Sequence, residues 1–161
     1  MKSYRLSAVF HRKVLEEDLR STDREGVLRE LLDLIVEADG LERKNLEPLL
    51  RQLLEREKIG STGIGGGVAI PHIKTELVQD VTGAVGRSET GIDYNTIDGE
   101  KAHIFFLFLS PKEQSEVHLD VLKKISALVR NKLYIQFLRN ARKKNDILDV
   151  LKEAESGGGS T

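Results

Sequence analysis

The chain of 161 residues contains no cysteine and no tryptophan, one methionine and three prolines. Without thiols there is no disulfide, no thiolate nucleophile and no cysteine-ligated zinc, and a reduced cytoplasmic compartment is the expected location. An excess of one charge is also lacking. Lys and Arg number 25 against 26 Asp and Glu, a formal net charge of −1, so nucleic acid and anionic membrane are not expected as main partners. The longest strongly apolar run, Ile104 to Leu109, is far too short to span a bilayer. Met1-Lys2-Ser3-Tyr4-Arg5 leads into charged residues rather than into an apolar signal core. What is left is an ordinary globular composition, long enough for one domain with a real core.

Periodicity supplies the elements. Residues 3 to 12 read as a short helix carrying Leu6, Val9 and Phe10 inward, and Val14 to Leu19 as an edge strand. Thr22 and Glu25 have the spacing of a capping box, ahead of Val27, Leu28, Leu31, Leu32 and Ile35 at helical intervals, with Gly40 as the stop. A second helix runs from about Leu41 or Asn45 to Lys58, with Leu46, Leu49, Leu50, Leu53 and Leu54 inside, Pro48 in its first turn and Gly60 closing it. Val68 to Ile70 is a short buried strand ended by Pro71. Asp80 to Ser88 alternates loosely, Gly91 to Tyr94 and Thr96 to Gly99 read as a short strand and a turn, and Ala102 to Leu109 is a strand buried on both faces. Helices follow from about Ser115, after Asn131, and from a cap at Asn145-Asp146. The expected fold class is α/β: one domain, residues 1–155, a mixed β-sheet sandwiched between helices, with 156–161 a flexible tail.

The chemistry concentrates at Gly63-Ile64-Gly65-Gly66-Gly67-Val68-Ala69-Ile70-Pro71-His72. A P-loop needs a lysine after its glycines and has none here, and a dinucleotide fingerprint needs strand before and helix after, the reverse of this order. Nucleotide binding is therefore not expected. A histidine taken at random is more often structural than functional, but His72 follows a turn rich in backbone N–H groups and precedes Lys74. A phosphorylated imidazole carries roughly −1.5 to −2 charge and requires N–H donors and a cation, which the glycine loop and Lys74 or Arg56 could supply. His118, at the start of a helix, is either a surface residue or a second imidazole that orients His72 or holds phosphoryl oxygens. His103 reads as a packed or edge residue and His11 as exposed. No HxH or HxxxH pair suggests a metal site, and Arg139, Arg142, Lys143 and Lys144 read as a solvated face rather than a docking surface for an acidic partner.

Glu57, Ile64, Gly65, Val68, Ala69, Ile70, Pro71 and His72 satisfy, in order, a long signature: an acidic or amide residue, six positions, an apolar residue, Gly or Ala, two positions, then apolar-Ala-apolar-Pro-His. In this the chain resembles the type-2 IIA domains of the bacterial phosphoenolpyruvate-dependent sugar phosphotransferase system (PTS), the fructose/mannitol class that includes the nitrogen-regulatory IIA proteins. The likeness extends from about Leu6 to Leu151. It implies that His72 is the phosphorylated residue, His118 a second active-site histidine and Arg56 the nearby cation. It implies no metal, nucleotide or other cofactor. The implied donor is an HPr-like phosphocarrier and the implied acceptor a IIB domain or a regulated protein, with the membrane reached only through a transporter. With no IIB or IIC segment in the sequence at hand, the regulatory alternative stays open beside sugar transport, as does a small-molecule-binding domain that has lost transfer. Ile73 stands where the family usually has a small residue, which implies a changed approach for a partner, and Gly66 where many members have a polar side chain.

Overall fold

The computed structural model describes residues 3–157 and is built around the phenylalanine-rich run. In chain order it comprises α1 (Leu6–Val9), β1 (Leu15–Glu16), α2 (Arg24–Glu37), α3 (Leu46–Ile59), β2 (Gly63–Gly65), β3 (Val68–Ala69), β4 (His72–Thr75), β5 (Thr82–Ile92), β6 (Ala102–Pro111), α4 (Ser115–Val129), α5 (Lys132–Arg139) and α6 (Lys144–Gly157). Single 3₁₀ turns occupy Arg12–Val14 and Arg43–Asn45. The strands form one mixed sheet. β6 lies at its centre, antiparallel to β5 on one side and parallel to β3 and β4 on the other; β1 joins β5 at one edge and β2 joins β3 at the other.

Successive side chains of a strand point to opposite faces, so β6 feeds two cores at once. Phe105, Leu107 and Leu109 pack with Leu28, Leu31, Leu49 and Leu53 of α2 and α3. Ile104, Phe106 and Phe108 pack with Val121, Ile125, Ile147 and Leu151 of α4 and α6. The architecture is thus the expected one, a mixed sheet between two helical layers. No described helix is long and apolar enough to cross a membrane.

Several local expectations are corrected. The cap of α2 is Asp23, whose carboxylate accepts the Gly26 N–H at 2.7 Å, and the Thr22–Glu25 box does not form. A carboxylate is a stronger acceptor than a hydroxyl at the positive end of a helix, and Glu25 turns toward Arg29 instead, 3.9 Å away. Past α2 the left-handed residue is Asp39 (φ 62°), not Gly40. Asn145 does not cap α6, because its side chain accepts from Arg12 Nε at 2.9 Å; Asp146 instead receives the Arg142 and Lys143 N–H groups at 2.9 and 3.1 Å. Of the strand expected over Val14 to Leu19, only Leu15–Glu16 forms a ladder with β5, and the Leu19 N–H adds a single bond to the Arg87 carbonyl at 2.8 Å.

The segments Asp80–Ser88 and Gly91–Tyr94 contribute to one bulged strand, β5, whose pairing with β6 shifts between Arg87 and Ile92. Gly91 (φ +86°) absorbs the shift, and a Cβ there would sit 2.8 Å from the His103 ring. β3 ends ahead of Pro71, as expected, but the chain does not leave the sheet there. Pro71 donates no N–H, but its carbonyl accepts the Phe108 N–H at 3.1 Å, so the chain stays against β6 and resumes as β4. Helix α6 includes Ser156 and Gly157; the rest of the expected tail lies outside the described residues.

Replacing Asp23 by Ala should cost about 1 kcal/mol in urea unfolding, whereas Thr22→Ala should stay within about 0.5 kcal/mol of the parent.

Candidate active site

His72 opens β4 in register with Phe108 of β6, and parallel neighbours in register share a face. That places His72 on the α4 side of the sheet, where its ring stacks on Phe108 with centroids 5.5 Å apart and planes 11° apart. His118, in the first turns of α4, lies over the same phenylalanine at 4.8 Å, and the two imidazole centroids are 5.4 Å apart. One buried aromatic ring is therefore the floor beneath both histidines.

The His72 ring is oriented by a hydrogen bond, with Nδ1 2.5 Å from the Ile70 carbonyl oxygen. A carbonyl only accepts, so Nδ1 carries the proton. Burial lowers the His72 pKa and Arg56 adds to this, partly opposed by the Ile70 carbonyl and Glu57. The ring is thus neutral at pH 7, with its lone pair on Nε2.

His118 is 7% exposed, and its Nδ1 is 2.9 Å from the hydroxyl of the wholly buried Ser110. Burial, then His72 and Lys74, push its pKa down to about 4, so this imidazole is neutral as well. Lys74 shares the His72 side of β4 and donates to Ser115 Oγ at 3.3 Å. Arg56, in the last turn of α3, is anchored on the Gly60 carbonyl at 2.7 Å. Gln114, at the N-cap of α4, makes no side-chain cap bond to the positive end of that helix, which lies beside His118. Neutral imidazoles and nearby cations can hold an anionic group without committing a proton to it.

The structure thus gathers His72, His118, Lys74 and Arg56, but not the glycine turn. Val68 is paired with Ile104 and His72 with Phe108, so the turn beyond Val68 lies about 13 Å or more along the sheet from His72. Gly65, Gly66 and Gly67, all at positive φ, form the tip of the β2–β3 hairpin, where the Gly66 N–H is already bonded to Asp98 at 2.9 Å. The expectation that this loop cradles phosphate is therefore corrected. Gly66 has open space around it, and Ile73 points to the opposite face, into the core beneath α2 and α3, while also lining a surface groove with Arg56 and Lys74. His103 is half-buried with Nδ1 2.9 Å from the Ser88 carbonyl, and His11 is exposed. Among the described residues no cluster of His, Asp and Glu is disposed to hold a metal.

Sequence reading missed Phe108 as the floor, Ser110 as the partner of His118, and β4 itself. The signal for β4 was present: polar His72 and Lys74 alternate with Ile73 and Thr75, and the latter two are the buried pair.

The family model described as phosphoenolpyruvate-dependent sugar phosphotransferase system, EIIA 2, matches residues 8–154. A fructose-specific PTS EIIA component of Haloferax volcanii is 37% identical over 130 residues, 81% of this chain and 83% of that protein. A fructose-specific PTS EIIABC component of Bacillus subtilis is 29% identical over 149 residues, 92% of this chain but only 23% of that protein's length. Among solved structures, the nitrogen regulatory protein IIA-Ntr of Neisseria meningitidis superposes with a TM-score of 0.81 at 25% identity, covering 91% of this chain and 98% of that one. The Escherichia coli complex of enzyme IIAMTL with phosphorylated IIBMTL shares the fold at a TM-score of 0.72 and 15% identity, over 87% of this chain and 94% of that one.

In an NMR pH titration His118 should titrate near pH 4. An unfolded histidine titrates near ~6.5, so between these values the unfolded state binds the extra proton, and stability should fall as pH drops through that window. His118→Gln should flatten this slope in urea unfolding series at pH 7 and below.

Proposed function

This chain belongs to the phosphoenolpyruvate-dependent sugar phosphotransferase system EIIA 2 family, and from that premise we propose that His72 is its phosphoryl-carrying residue. The observation that supports this reading best is the Ile70–His72 hydrogen bond, because it leaves the Nε2 lone pair of a neutral ring available on the α4 side.

In the proposed step Nε2 attacks phosphorus from the side opposite the leaving nitrogen of a phospho-histidine on an HPr-like donor. The new N–P bond forms as the donor's N–P bond breaks, and the bonding pair returns to the donor imidazole. No proton has to leave His72. Its Nδ1–H stays on the Ile70 carbonyl, and that bond strengthens as the ring gains positive character. Lys74, Arg56 and the positive end of α4 attract the phosphoryl oxygens. The Ser110 hydroxyl lies 2.9 Å from His118 Nδ1; in the proposed arrangement it donates there, and the neutral ring offers Nε2–H to an oxygen of the same group. A neutral donor stabilises the phospho state less than an imidazolium would, which favours onward transfer to a IIB domain. The solved mannitol IIA–phospho-IIB complex is the fold-level analogy for that acceptor.

The second reading is regulatory, with the phosphorylation state of His72 reporting to a bound target. Similarity to the Neisseria nitrogen regulatory protein favours it. Both readings place the activity in the cytoplasm and share the same chemistry at His72.

After incubation with phosphoenolpyruvate, enzyme I and HPr, intact mass should show one added phosphoryl group on the parent and none on His72→Ala. Circular dichroism should be the same for both. Lys74→Ala should accept the group about tenfold more slowly while remaining competent. A labelled His72→Ala protein would contradict the assignment.

A further inference from the structure

We propose that Glu57 is a positioning residue for His72, acting through a line of hydrogen bonds that fixes the proton of the imidazole on Nδ1. Its purpose rests on the carrier reading above, but its geometry does not.

Glu57 is 5% exposed near the end of α3, on a helix face that otherwise buries leucines. A carboxylate there is costly to desolvate unless its oxygens are occupied. They are, by the Thr62 N–H at 2.9 Å, the Thr62 hydroxyl, and the Tyr94 hydroxyl at 3.2 Å. Thr62, itself 4% exposed, uses its carbonyl to accept the Ile70 N–H at 2.9 Å. The Ile70 carbonyl in turn accepts His72 Nδ1–H at 2.5 Å, across Pro71, whose ring fixes φ. One line therefore runs from the carboxylate through Thr62 and Ile70 to the nucleophile.

The position of the Ile70 carbonyl follows from where its N–H is pinned, and Thr62 is pinned by Glu57. If that carbonyl moved, the proton would be free to occupy Nε2 and the ring would lose its outward lone pair. The charged and titratable groups around His72 are Arg56 and Glu57 from α3, His118 from α4, and Lys74 on its own strand. Glu57 is the acidic member among the described residues, and it opposes the lowering of the His72 pKa. Tyr94 binds the same carboxylate but leads away from His72, so it separates positioning from simple support of the fold.

The test is the nitrogen spectrum of the histidine-labelled 161-residue chain, which reads the tautomer and titration of His72 without any phosphoryl donor. The parent should be mainly Nδ1–H. Glu57→Gln should lower the ratio of Nδ1–H to Nε2–H by at least about threefold and shift the His72 midpoint to lower pH. Tyr94→Phe should leave both unchanged even if it unfolds at lower urea. A folded Glu57→Gln protein with the parent's ratio and midpoint would overturn the proposal, as would a Tyr94→Phe variant that shifts them equally. If Glu57→Gln fails to fold, Thr62→Val, which deletes only the hydroxyl leg, is read in the same way: a lowered ratio supports the proposal and an unchanged ratio overturns it. Because no transfer enters the measurement, a parent that accepts no phosphoryl group would refute the carrier reading and leave this result standing.

Discussion

A strand that must bury both faces has no freedom to slip, and β6 is such a strand. A shift of one residue would turn Phe105, Leu107 and Leu109 toward α4 and Ile104, Phe106 and Phe108 toward α2 and α3, exchanging two differently shaped cores. Register on β6 in turn sets the partner of every residue in β3 and β4. His72 meets Phe108 and faces α4 for that reason alone. The same parity sends Ile73 into the other core and brings Lys74 back to the side of His72. The site is thus a consequence of sheet geometry before it is a matter of reactive side chains.

Electrostatics then sets what the gathered groups do. Two imidazoles over one aromatic floor cannot both be protonated cheaply, and burial disfavours the charge on each. Positive charge is left to Lys74, Arg56 and the start of α4. Nucleophile and charge stabilisation are therefore divided between different groups. That division suits a reversible carrier, in which the group must be held and then released.

Legibility in the sequence followed the range of the interactions involved. The helices and the doubly buried strand were visible because their periodicity is local, and the layered fold followed from their order. His72 and the family stood out because the signature before them is long and ordered. Misreadings arose where distant partners decide. The glycine turn adjoins the motif in sequence, yet pairing along β6 carries it away from His72 and gives the Gly66 N–H to Asp98, a residue far along the chain. Pro71 does mark the end of β3, but the resumption as β4 depends on its carbonyl meeting Phe108 of β6. Glu57 was visible only as a letter in a signature; its bonds to Thr62 and Tyr94 needed the fold. Helix caps were misplaced by a residue or so, since neighbouring polar side chains compete for the same N–H groups and spacing does not rank them.

The measurement that bears most directly on the account is the nitrogen–phosphorus coupling pattern of the phosphorylated, histidine-labelled chain. Phosphorus coupled to Nε2 of His72, with the proton still on Nδ1, is the predicted result. Phosphorus on Nδ1, which would require the bond to the Ile70 carbonyl to break, or on any other histidine, would contradict it.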